Sequence, residues 1–247
     1  MNINIRGISA GTALVFSVAS SVAAQSLATF GSIEAGGFGE GSALLGTSAS
    51  TGHPGWGPTA SIVAQTYRYR NDLHSHAQAY TISPSVGVQN SMPEGSVSAM
   101  LGYTFVNTEF TGVVSGAELG GKNGTFASVQ GNYWGSGENS AQVIGSYGFD
   151  SEYYWTRFRA AHRAASGANP VYLGAELVLQ GTQKTQTTGL VTTPSQFRYE
   201  AGPTLEYRVT SDFRIGASGG LRAGNNNTPS SGYVRVEFLL LTKLGGM

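Results

Sequence analysis

From residue 197 onward the chain alternates between apolar and polar side chains with period two. The odd positions are Phe197, Tyr199, Ala201, Pro203, Leu205, Tyr207 and Val209; the even ones are Arg198, Glu200, Gly202, Thr204, Glu206 and Arg208. Phe213, Ile215, Ala217, Gly219 and Leu221 then alternate with Arg214, Gly216, Ser218, Gly220 and Arg222. Val234, Val236, Phe238 and Leu240 alternate with Arg235, Glu237 and Leu239. Successive side chains of a strand point to opposite faces. Each run therefore predicts a strand with one apolar face and one charged, glycine-rich face. A soluble sandwich would bury the apolar face, whereas in a membrane barrel that face meets lipid and the charged face lines a lumen.

The same texture runs back through the chain. It predicts strands at 28–38, 59–69, 77–88, 96–106, 125–134, 139–149, 153–163, 171–180, 197–209, 213–222 and 232–241, with a further short one near 110–119. Spans of about ten residues suit tilted membrane strands and exceed the usual strand of soluble sheets. Gly135-Ser136-Gly137, Ser211-Asp212 and Gly224-Asn225-Asn226-Asn227 mark turns, and longer polar connections are expected at 39–58, 70–76 and 181–196. Short and long connections alternate when one end of a barrel faces the periplasm and the other the exterior. Glu34-Ala35-Gly36-Gly37-Phe38-Gly39 fits either a strand end or an ordered loop. The fold expected is all-β: an antiparallel, transmembrane, up-and-down β-barrel of twelve strands, with ten as the alternative, because single-chain bacterial barrels use even numbers. Tyr133-Trp134 and Tyr153-Tyr154-Trp155 lie at strand ends, where amphipathic rings favour the headgroup zone.

The N-terminus sharpens this picture. One charge, Arg6, precedes an apolar stretch from Ile8 to Val22 that ends in Val22-Ala23-Ala24. This is the layout of a secretory signal peptide cleaved after Ala24, so 1–24 is read as the signal and 25–247 as one barrel domain. Only 11 % of residues are charged, and 36 of 247 are glycine, against about 25 % and 7 % in an average soluble protein. The formal charge is zero, which gives no reason to expect nucleic-acid binding. There is no cysteine to staple the exported chain.

The candidate chemistry lies on the inferred lumen face of the last five strands: Arg157, Arg159, Arg163, Glu176, Arg198, Glu200, Glu206, Arg208, Arg214, Arg222, Arg235 and Glu237. Opposed residues on antiparallel neighbours come close enough for Arg–Glu pairing. The set reads either as a structural ladder that stiffens the lumen or as a lining that contacts a polar solute. Catalysis has little support. His162 is the one candidate base and is placed on the face opposite the arginines. His74-Ser75-His76 would put two imidazoles on one strand face, but a metal site needs at least one more ligand from elsewhere and a polar loop at a strand start is the plainer reading, so neither metal nor cofactor is expected.

Met100-Leu101-Gly102-Tyr103-Thr104-Phe105, Tyr154-Trp155-Thr156-Arg157-Phe158-Arg159, Leu173-Gly174-Ala175-Glu176 and Phe197-Arg198-Tyr199-Glu200-Ala201-Gly202 together resemble the bacterial cellulose biosynthesis protein BcsS family over about 95–241. The resemblance implies an outer-membrane barrel that is accessory to cellulose production. Its partners would be outer-membrane lipid and cellulose synthase or secretion components, or the glucan itself. It brings no catalytic residues.

Size limits the mechanism. Twelve strands about 4.8 Å apart, tilted about 40°, give a backbone diameter of roughly 24 Å. Inward Arg and Glu would cross much of that width, while wide aqueous channels come with about 16–18 strands. The expected role is therefore accessory and non-enzymatic. A small-solute porin and a barrel hydrolase are the alternatives.

Overall fold

The structure is a computed structural model. It describes residues 26–51, 53–70, 76–111, 123–134, 137–167, 169–182, 186–188, 191–193, 197–225 and 230–244. The expected signal at 1–24, residues 112–119 of the expected short strand, and His74-Ser75 lie outside them. Twelve antiparallel strands close into one barrel. They are β1 (Ser26–Gly36), β2 (Gly41–Ser50), β3 (Gly55–Arg70), β4 (His76–Met92), β5 (Gly95–Thr111), β6 (Gly124–Tyr133), β7 (Asn139–Gly148), β8 (Tyr153–Ala165), β9 (Val171–Thr182), β12 (Phe197–Arg208), β13 (Phe213–Gly224) and β14 (Ser231–Lys243). A separate two-stranded sheet, β10 (Gln186–Thr188) with β11 (Val191–Thr193), sits in the β9–β12 connection.

Closure is made by β1 against β14, in continuous register from Ser26↔Lys243 to Gly36↔Tyr233. No barrel strand keeps an unpaired edge, which is what a sheet needs in hydrocarbon.

The strand number is as expected, but the twelfth strand is not where the pattern suggested. Residues 41–50 form β2 inside the stretch 39–58 expected as a connection, and 110–111 merely end β5. Gly41-Ser42-Ala43-Leu44-Leu45-Gly46-Thr47-Ser48-Ala49-Ser50 has small residues on both faces and two adjacent leucines. It therefore has no period-two signal. Its register on β1 and β3 places Leu45 outward, 56 % exposed.

Burial is inverted relative to a soluble protein. Leu221 is 70 % exposed while its neighbour Arg222 is 1 % exposed. Ile33, Leu101, Val129, Leu173 and Val234 are likewise exposed, and Glu176, Glu200 and Arg235 buried. An apolar outer surface of this extent needs lipid against it. Aromatic residues border it on the outward face: Trp56, Tyr133 and Tyr207 towards one end, Tyr80, Tyr103, Tyr147, Tyr154 and Tyr199 towards the other. From Tyr199 to Tyr207 the strand rises about 26 Å, or about 20 Å along the axis at a 40° tilt, close to the apolar band of membrane barrels. Tyr153 and Trp155 flank outward Tyr154 and face inward; the Tyr153 hydroxyl donates to Gln180 Oε1 at 2.6 Å.

The two ends differ. The one that carries Ser26 and Lys243 has only tight connections, at 51–54, 93–94, 134–138, 166–170 and 209–212. The other has the longer connections 112–123 and 183–196, and there β3, β4 and β5 outgrow their neighbours. Short turns belong to the periplasmic side and long ones to the exterior.

At Gly202 on β12 and Gly220 on β13 the backbones come unusually close: a Cβ on Gly202 would fall 2.0 Å from Gly219 O, and one on Gly220 2.1 Å from Ala201 O. Gly202→Val is expected to cost about 3 kcal/mol or more through overpacking. Loss of the heat-modifiable folded band on a gel would register it, and an unchanged band would contradict this account of the seam.

Candidate functional site: the charged lumen

Strand alternation sends the even residues of β9, β12 and β13 and the odd residues of β8 and β14 to one side, and the ion pairs show that this side is the interior. Arg157 on β8 lies 2.7 Å from Glu237 on β14, although β9, β12 and β13 stand between those strands in the wall. Only a contact across the lumen can join them. Arg159 pairs with Glu237 as well, and with Glu176 on β9 at 3.1 Å. Arg157 Nε is 3.2 Å from Glu176.

Arg235 on β14 is the hub. It reaches Glu34 on β1 at 2.5 Å, Glu176 at 2.8 Å and Glu200 on β12 at 2.7 Å. Arg222 on β13 joins Glu200 at 2.7 Å and Glu40 in the β1–β2 turn at 3.2 Å, and also pairs with Glu34. Arg198 meets Glu40 at 3.2 Å and Glu200 at 3.5 Å. The Tyr233 hydroxyl donates to Glu176 Oε1 at 3.1 Å. Arg157, Arg159, Arg198, Arg222 and Arg235 thus balance Glu34, Glu40, Glu176, Glu200 and Glu237 within one connected set. Arginine suits it, because one planar guanidinium can bridge several carboxylates.

The remaining candidates stand apart, towards the short-turn end. Arg208 and Arg214, directly paired in register, share Glu206 at 3.1 and 3.6 Å. Arg208 also lies 4.3 Å over the Tyr172 ring. Arg163 is 3.9 Å from Glu138. His162 is on the outward face of β8, its Nδ1 2.9 Å from Asn139 Oδ1.

Glu34 and Glu40 are absent from the sequence-derived set. Glu34 carried a signal, since Ser32, Glu34 and Gly36 alternate with Ile33 and Ala35. Glu40 follows a short 3-10 turn, Gly37–Gly39, where no strand period applies.

The opposite half of the wall is different. By register, β2–β7 turn hydroxyl and amide groups inward, including Thr59, Ser61, Thr81, Ser85, Ser98 and Gln130, and no described side chain of these strands brings a charge into the lumen. Thr59, Ser61, Thr81, Ser85 and Ser98 are buried. The lumen wall thus has one half of paired charges and one half of hydroxyl and amide groups. Its carboxylates are engaged by guanidinium groups, an arrangement suited to bracing walls and poorly suited to proton transfer.

Residues 16–241 match the family described as cellulose biosynthesis protein BcsS. The chain belongs to that family. No curated protein matches it. Among solved structures, the KdgM porin is similar at 10 % identity with a TM-score of 0.43, covering 86 % of this chain and 98 % of the porin. The translocator domain of the autotransporter NalP from Neisseria meningitidis is similar at 10 % identity with a TM-score of 0.45, covering 95 % and 97 %. The β domain of the Bordetella autotransporter BrkA is similar at 14 % identity with a TM-score of 0.47, covering 86 % and 97 %. In this BcsS-family chain, the inverted burial and closed sheet make a membrane-spanning barrel of the outer-membrane kind on physical grounds alone.

The two charged groups of this BcsS-family barrel predict different mutational costs. Arg235→Leu leaves three carboxylates short of their shared cation and should destabilise by about 3–5 kcal/mol. Arg208→Ala, at a side chain that is 25 % exposed, should cost under about 1 kcal/mol. Urea unfolding in detergent micelles separates them, and equal costs would refute the distinction between core network and rim pairs.

Proposed function

We propose that this BcsS-family barrel is a non-enzymatic accessory of bacterial cellulose production: an outer-membrane scaffold, exported by the segment 1–24, whose lumen is sealed by its own side chains. Its partners are outer-membrane lipid and the cellulose synthase or secretion components, or the glucan that they handle. The observation that carries this reading is the chord of ion pairs from Arg157 and Arg159 to Glu237, which spans the lumen between strands four places apart. A glucan chain threading the barrel would have to part that chord and strip several buried charges of their partners, each removal being worth about 3–5 kcal/mol. Family membership supplies the link to cellulose, and the sealed lumen argues for support rather than conduction.

Two measurements test the proposal. In planar bilayers the folded wild-type protein should show no steady conductance, whereas the triple variant R157A/R159A/E237A should show discrete openings. Steady wild-type conductance would favour the small-solute porin instead. Deleting the gene should lower or disorganise secreted cellulose, and unchanged amount and fibre organisation would remove the accessory role.

A further inference from the structure

The outward face of the barrel carries a groove of about 950 Å³ across β1–β4 and β13–β14. Small outward residues, Ala43 on β2 and Ala64 on β3, form part of its floor, with Leu45 of β2 paired beside Ala64. Ile33 borders it on one side and Tyr80 on the other. Gly31 belongs to the same design. A Cβ there would fall 2.6 Å from the Phe238 ring, so its absence lets that ring lie flat against the wall. The groove runs towards the end with the long connections, where Tyr80 stands in the aromatic border.

Just beyond it lies Arg68. It is two residues past Thr66 on the outward face of β3, about 7 Å further along the strand, and is exposed. Its register neighbours are Gly41 on β2 and Gln78 on β4. Among the described side chains Arg68 is the only arginine on the outward face; the others point into the lumen or its mouth. Strands β2, β3 and β4 contain no aspartate or glutamate at all. Among the described side chains, no acidic group stands beside Arg68 on these three strands, and Gly41 next to it carries no side chain. At headgroup depth, above an apolar groove, the matching chemistry is a phosphate that carries acyl chains.

We propose that this groove is a binding site for a phosphate-bearing acyl lipid, with its chains along Ala43 and Ala64 and its phosphate on Arg68. The site is independent of the role in cellulose production. Native mass spectrometry of the full-length protein in detergent micelles tests it, with dimyristoyl phosphatidic acid compared against dimyristoylglycerol, which has the same chains and no phosphate. Wild type should retain the phosphatidic acid about tenfold better, the size of one charge-assisted contact. R68Q should bring the two lipids to equal retention. A64F, which fills the floor, should lower retention of both. Excess inorganic phosphate should not displace the bound lipid. Equal retention by wild type, an undiminished preference in R68Q, or unchanged retention in A64F would overturn the proposal. Displacement by inorganic phosphate would reduce the site to a simple anion contact and overturn it equally. Heat-modifiable migration establishes that each variant is folded, and A43L replaces A64F should that variant fail to fold.

Discussion

A sheet in hydrocarbon must satisfy every backbone N–H and C=O within itself, and here that constraint falls on the seam between β1 and β14. Everything else follows from the seam. Once the edges are joined, the sheet has an inside and an outside, and the two-residue period assigns each side chain to one of them. Leu221 and Arg222, adjacent in sequence, end at opposite extremes of exposure for this reason. A slip of one residue in any strand would carry its arginines and glutamates into lipid and its leucines into the lumen. Register is therefore fixed strongly wherever both faces have a character, as on β12, and weakly where they do not, as on β2.

Closing twelve strands leaves a narrow interior, and long charged side chains directed into it cannot stay hydrated separately. They must find one another. The pairs do not follow the order of the wall: Arg235 ties β14 to β1, β9 and β12, and Arg157 ties β8 to β14. A buried pair gains little over a well-packed apolar substitute, but losing one member is severe. The network is thus better understood as a device that penalises wrong arrangements than as a store of stability. It also explains the preference for arginine, whose planar fork of five donors spreads over a wider span than a lysine ammonium and makes two-point contacts with carboxylates on several strands.

Much of this was legible in the sequence, and the exceptions have physical reasons. Alternation located the charged faces of β8, β9 and β12–β14, because each of those strands separates large apolar from charged residues. β2 was hidden because Ser, Ala, Gly and Thr are compatible with either face, and Leu44-Leu45 breaks the period. Glu34 could have been assigned from Ser32, Glu34 and Gly36. Glu40 could not, because it reaches Arg222 from a turn, and periodicity says nothing about turns. Contacts across the lumen are a separate class again. Sequence spacing can show that Arg157 and Glu237 point inward, but only the cross-section of the closed barrel brings them together. The close approach of Gly202 and Gly220 is likewise invisible in a pattern that marks glycine only as small.

The pairing of the lumen charges turns attention to the surfaces. The charged half of the wall is spent on its own pairing, and the other half presents hydroxyl and amide groups, several of them buried. The rim and the lipid-facing exterior are the other surfaces the barrel offers. These are not uniform: β3, β4 and β5 run 16, 17 and 17 residues, against 10 for β2, β6 and β7. Past its pairing with β6, β5 continues over 105–111 at the end with the long connections, alongside β4, so one sector of the barrel stands above the rest there. The same sector carries Arg68, exposed on the outward face of β3. Inside, the charges of one half of the wall are matched to one another, whereas the outer wall carries an exposed arginine beside an apolar groove; the proposed accessory role therefore turns on what the barrel meets at its outer wall and rim.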